Sequence, residues 1–253
     1  MSGRPRGPGD DTPSPGRRGR GPGAAGSVAQ AHEAVAAIAR SGRPAAAGGT
    51  GVPHGPAAEF RPGFPRGADF IDSGGGFSPE AADAYRRIRH SPEDTALVAS
   101  HTGIDPAVVE RMRRNLFVEQ HDVAVGPNRV ERGYFTPDDD IAELWDAAAR
   151  GTLGPTRLAD FRALVAHEYV ENKLMEAGLP YRSAHPDSFN AEGDNVVNRL
   201  HPGAHDLAPH AWRPDAPLEH WQRFGLDGSA LEMAPDLSNL DAVVQAVLGG
   251  LGR

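Results

Sequence analysis

The chain has 253 residues, no cysteine, a single lysine (Lys173) and a formal charge of −8. Without cysteine there are no disulfides and no thiolate metal site, so any metal must be held by His, Asp or Glu. No run of about 18 apolar residues occurs, so no membrane span is expected. The N-terminus lacks the apolar stretch of a secretory signal, which points to a cytoplasmic protein or one exported by a route that uses no such signal.

Residues 1–67 hold 15 Gly and 10 Pro. So many backbone disruptors leave too little apolar surface to offset chain entropy, and the segment is predicted to be a disordered tail. Its nine Arg against four acidic residues give +5, which leaves −13 on the remainder. A basic tail on an acidic body could touch nucleic acid, an anionic membrane or the body itself. Within it, Ser27 to Arg40 is the one helix candidate, with Val28, Val35 and Ile38 able to share a face. Residues 68–253 are expected to form a single mainly helical domain.

In that domain a capping residue followed by proline recurs at Ser78-Pro79, Ser91-Pro92, Asp105-Pro106 and Thr136-Pro137. Proline suits the first helical position because its missing N–H would have had no partner there. The spacing predicts helices over 79–90, 92–101, 105–118 and 137–150. A longer helix is expected over 156–177, stopping at Gly178-Leu179-Pro180, and a last one over 238–248 with Ser238 and Asp241 as a capping pair. Residues 123–135, with Gly126-Pro127-Asn128 inside, read as a short β-hairpin or loop. From Tyr181 to Pro235 the pattern weakens into a His- and Pro-rich stretch that contains Trp212 and Trp221, expected to wrap irregularly over the core with Trp221 and Phe224 docked.

The long helix carries the chemistry. At about 100° per residue, Leu158, Phe161, Leu164, Val165, Tyr169 and Met175 share an apolar face, and Glu168 falls near its centre. His167 and Glu171 lie side by side at i and i+4. A carboxylate on a core-facing line is costly unless paired, protonated or metal-bound. Three chemistries fit. His167 and Glu171 could ligate one divalent metal, with Glu168 as base and a third ligand from His185, His121 or His101. His167 with Glu168 or Glu171 could act as a metal-free acid/base pair. Glu168 could instead form a structural salt bridge with Arg111 or Arg114. Since one helix face cannot surround a substrate, His185, just past the helix end, is the first choice for an added catalytic group and His121 the second.

Two further segments bear on function. Thr95 to Leu116 places Ala99, Gly103, Ile104, Val109 and Met112 at helix-turn-helix positions, with Arg111, Arg113 and Arg114 on the second helix. Acidic Glu93, Asp94, Asp105 and Glu110 balance those arginines, so the segment is expected to be a packing hairpin before a DNA reader. His201, His205 and His210 could hold a metal but read first as hydrogen-bonding residues of the C-terminal wrap, and Asp206 and Asp215 as caps or turn formers.

The segment over 95–186 resembles the small helical effector modules at the C-termini of bacterial polymorphic toxins. The similar features are Thr102-Gly103-Ile104, Leu116-Phe117 with His121, Phe135-Thr136-Pro137, Ile141 and Trp145. They continue through Leu164 with His167-Glu168 and Glu171, and Tyr181 with Ala184-His185. The chain departs from that pattern in having no long secretion or repeat region, which reads as a free-standing relative. The resemblance implies a hydrolase, commonly a nuclease cutting a phosphodiester, with a cognate inhibitor protein as partner. The alternative from another class is a non-enzymatic DNA-binding or regulatory protein that uses the 92–117 hairpin.

Overall fold

A computed structural model describes residues 70–71, 77–210 and 216–253. The readings of the 1–67 tail, its Ser27–Arg40 helix candidate, Trp212 and Asp215 lie outside the described residues. The chain runs through α1 (Pro79–Arg89), α2 (Asp94–Thr102), α3 (Pro106–Arg113) and a π turn (Arg114–Val118). A hairpin follows, β1 (His121–Gly126) and β2 (Arg129–Gly133), then α4 (Asp139–Ala149) and α5 (Pro155–Glu176). A 3-10 turn (Pro186–Ser188), the short α6 (Ala204–Leu207), a second 3-10 segment (Glu219–Phe224) and α7 (Leu240–Gly250) complete it. The fold is mainly α with one small antiparallel sheet.

The proline signals start helices by more than one route. Ser78 caps α1 as expected, its Oγ accepting from the Ala81 N–H at 2.9 Å, and Asp105 caps α3 through the Ala107 N–H at 2.7 Å. After Ser91-Pro92 a tight turn intervenes and α2 begins only at Asp94. Before α4 the cap is Asp138, which accepts from the Ile141 N–H at 2.9 Å. Thr136 instead donates to the Ile71 carbonyl at 2.6 Å. Ser238 and Asp241 do not cap α7. The Ser238 hydroxyl donates to Asp236, and Asp241 accepts from the Tyr169 hydroxyl at 2.9 Å, tying α7 to α5. The 105–118 helix splits because its last turn widens into a π turn.

The expectation that α5 is amphipathic is corrected by its position. It is the central helix, packed against α3, α4, α6, α7 and the π turn. Phe161, Ala163, Leu164, Val165, Ala166, Val170 and Leu174 are all buried, while Tyr169 and Met175, assigned to the apolar face, are half-buried. Around α5 an aromatic chain sets the core, with Tyr85 against Phe117 at 4.6 Å and Phe117 against Trp145 at 5.5 Å between ring centres. The irregular wrap docks as expected, since Trp221 is fully buried and donates its indole N–H to the Leu207 carbonyl at 2.8 Å. No helix among the described residues is long and apolar enough to cross a membrane.

Candidate metal centre

The middle of α5, from Ala163 to Glu168, is buried residue after residue, and with it the polar side chains there. His167, Glu168 and Glu171 are only 4%, 5% and 1% exposed. Each therefore needs a partner, because a buried unpaired charge costs several kcal/mol.

The partner for His167 and Glu171 is His205, on α6. Its Nδ1 stands 2.8 Å from Glu171 Oε2 and 3.0 Å from His167 Nε2, and the latter two atoms are 3.3 Å apart. A divalent ion with bonds of about 2.0–2.1 Å sets adjacent ligand atoms roughly 2.8–3.4 Å from one another, from octahedral to tetrahedral geometry. The three atoms thus already sit at the spacing a bound ion imposes. His167 Nδ1 donates to the Pro209 carbonyl at 2.6 Å. A carbonyl only accepts, so that contact fixes one proton on Nδ1 and makes Nε2, once its own proton is released, the ligand nitrogen.

His205 is brought there by a tight crossing of chain segments. The Ala204 and His205 N–H groups donate to the Pro180 and Tyr181 carbonyls at 2.8 and 3.1 Å. Gly203 makes this possible, because a Cβ there would meet the Tyr181 carbonyl oxygen and lie 2.6 Å from Arg182 Cα. The turn that ends α5 at Gly178 and the glycine that begins α6 together fold the third ligand back over the helix.

Glu168 lies outside that triad and has no arginine. Arg111 donates to Asn172 at 2.7 Å and Glu176 at 2.6 Å, and Arg114 pairs with Glu119, which corrects the salt-bridge expectation. Instead Asn115 Nδ2 donates to Glu168 Oε2 at 2.8 Å and to Glu171 Oε1 at 3.1 Å. One amide thus holds both carboxylates. Asn115 sits in the π turn, and its Oδ1 accepts from Asn172 Nδ2 at 3.0 Å. Such widened turns recur at functional sites because they re-aim a side chain within a helix.

The two carboxyls are driven apart in acidity. Burial and the neighbouring Glu171 charge push Glu168 up to about 8. Burial also raises Glu171, but hydrogen bonds from His167 and His205 outweigh it and hold its carboxyl well below the usual range. Burial lowers His167, and the Glu171 contact more than reverses this. His205 is pushed well down by burial and then by the Arg182 charge. The metal-free cluster therefore holds an ionised Glu171, a neutral Glu168 and a neutral His205.

Of the other histidines singled out in the sequence, none joins the triad. His121 donates Nε2 to the Asn115 carbonyl at 2.8 Å and stacks on Phe135, so it supports the π turn from behind. His101 contacts the Ala148 carbonyl. His185 stacks on His201 at 3.6 Å, with Asp187 near, in a separate and more exposed cluster. Those rings are parallel to within 14°, so their in-plane lone pairs run side by side instead of meeting at one point, and His185 Nδ1 already accepts from the Asp187 N–H. The assignment of His121 as a ligand and His185 as a catalytic group is thereby corrected in favour of His205, with Asn115 the support the sequence did not reveal.

No family model, curated protein or solved structure matches this chain. Its function must be argued from the site itself.

Proposed function

We propose that the protein is a metal-dependent hydrolase whose centre is His167, Glu171 and His205. The observation that carries this reading is the convergence of the three ligand atoms at 2.8, 3.0 and 3.3 Å inside the core. Two His and one Glu form a donor set suited to zinc or another first-row divalent ion, and three protein ligands leave a position for water. An ion bound there supplies a Lewis acid that acidifies its water to near neutrality. Glu168, adjacent in sequence and held by the same Asn115 amide as Glu171, would be the acid/base group; neutral in the metal-free cluster, it would have to lose its proton to the cation's field before it could accept one. The Pro209 carbonyl on His167 and the Asn115 amide on Glu171 orient the ligands from behind. Following the resemblance over 95–186, the bond cut is a phosphodiester, which makes the chain a nuclease-type effector with an inhibitor protein as its partner.

The test uses full-length protein stripped with a chelator, then supplied with zinc, manganese or magnesium and assayed on RNA and DNA. The expected result is one ion per chain by elemental analysis, lost in His167→Ala and His205→Ala. Glu168→Gln should keep the ion and lose turnover. A chain that binds no ion, or that cleaves equally well without His167, would overturn the reading.

The helix-turn-helix alternative draws less from the geometry. Arg113 is buried against Glu110 and the Ile88 carbonyl, and Arg111 and Arg114 are paired within the chain. Reading DNA with them would require breaking those contacts. Salt-dependent DNA binding without turnover remains the result that would favour it.

A further inference from the structure

Arg182 is buried to 6% exposure, yet among the described residues it forms no ion pair, and its Nε meets no hydrogen-bond partner. A buried guanidinium N–H without an acceptor is costly, and an anionic ligand is one way to satisfy it. It lines a cleft of about 480 Å³ between the hairpin and the C-terminal end of α5, together with Gln120, His121, Arg132 and Tyr181. That volume falls in the range of small-molecule sites, roughly 300–1,000 Å³. Arg132 stands exposed at the rim, paired with Asp122 at 3.0 Å. Asp206, the acidic residue that follows His205, is the nearby counter-charge, and the Arg182 charge partly offsets the rise that burial causes in its carboxyl; one of its oxygens accepts from the Gly203 N–H and the other has no hydrogen-bond partner, so it leaves the Arg182 Nε unbonded. The wall between cleft and triad is thin. Tyr181 lines the cleft, its ring centre lies 5.5 Å from that of His205, and its carbonyl binds the His205 N–H.

We infer that this cleft is an anion subsite in which Arg182 anchors the phosphate group of a small ligand, of nucleotide size, beside the metal centre. Planar guanidinium groups match phosphate oxygens with two parallel hydrogen bonds, which a lysine cannot do. A small ligand fits better than a long duplex, because the chain as a whole is acidic and Asp122 shares the cleft. As a description of substrate the inference rests on the hydrolase reading, whereas the binding itself does not require a metal.

The test is calorimetric titration of inorganic phosphate and of a nucleoside 5′-monophosphate into metal-free full-length protein. Saturable one-to-one binding is expected, about tenfold or more weaker in Arg182→Gln and partly restored in Arg182→Lys, as loss of a charge-assisted pair predicts. His167→Ala should bind phosphate as the wild type does while losing the metal. The two proposals therefore fail separately. A chain that holds no ion but binds phosphate through Arg182 sinks the hydrolase reading alone. Equal phosphate binding by wild type and Arg182→Gln, or phosphate binding only to the metal-loaded form regardless of Arg182, overturns the subsite. Should Arg182→Gln not fold, Arg182→Lys decides, since unchanged affinity there also refutes a bidentate anchor.

Discussion

Replacing Glu168 with glutamine tests the most unusual electrostatic feature of the core. In metal-free protein the Glu168 carboxyl is moved from 4.5 up to about 8, by burial first and by the Glu171 charge second. A raised carboxyl keeps its proton in the folded state while the unfolded chain releases it, so stability falls as pH rises between those two values. Each pH unit in that window removes about 1.4 kcal/mol, on the order of 5 kcal/mol across the whole of it. Below about pH 4.5 the term vanishes, and above about 8 it is complete. Glutamine has the same shape, carries no charge and can still accept from Asn115 through its carbonyl. Chemical denaturation of the chelator-treated wild type and of Glu168→Gln, run in parallel from pH 5 to 9, should show the variant gaining steadily over the wild type toward pH 8. Taking the difference removes the titrations of Glu171, His167 and His205, to the extent that both proteins share them. A difference that stays flat from pH 5 to 8 would mean that Glu168 is already ionised, and the account of its environment would be wrong.

Other consequences can be measured independently. Binding of a divalent ion should expel a proton from the cluster, because His167 is raised by its Glu171 contact and must be neutral to ligate. Calorimetry in buffers of different ionisation enthalpy should show that release, and affinity should drop as the pH is lowered. Gly203→Ala should displace α6, because the added Cβ meets the Tyr181 carbonyl and Arg182 Cα. It should cost about 1–3 kcal/mol of stability and weaken metal binding more than a surface change would. Asn115→Ala removes the amide shared by the two carboxylates and should lower metal affinity about 10–100-fold. Trp221→Ala, at a fully buried anchor of the wrap, should cost about 3–5 kcal/mol in denaturant unfolding.

The helical order of the chain is legible in its proline-and-cap signals, since Ser78 and Asp105 perform the local hydrogen bonding that their spacing predicts. The anomaly of Glu168 is legible too, because a carboxylate on a core-facing line stands out against burial rules. What periodicity misjudges is enclosure. The apolar residues mark one buried face, but the wet side of α5 narrows to a stripe through Arg162, Tyr169, Lys173 and Glu176, so His167 and Glu171 are as buried as Leu164. His205 escapes because its selection depends on a crossing of chain segments fixed by Gly178 and Gly203, which no local pattern encodes. Its nearness is set by backbone bonds to Pro180 and Tyr181, 24 residues upstream in each case. Asn115 escapes for a different reason. In a continuous α-helix its side chain would take another direction, and only the widened turn aims it at α5.

That widened turn has a consequence for how such a centre arises. Arg114–Val118 closes its backbone rings with one residue more than an α-helix uses. Deleting a single residue there would let α3 continue as ordinary helix, with its hydrogen bonds regained, and would swing Asn115 by about 100°. The packing of α3 against α5 would survive, while the amide that holds Glu168 and Glu171 would be gone. Residue identity along α5 and at His205 supplies the ligands, and length at this turn decides whether they are also supported from behind.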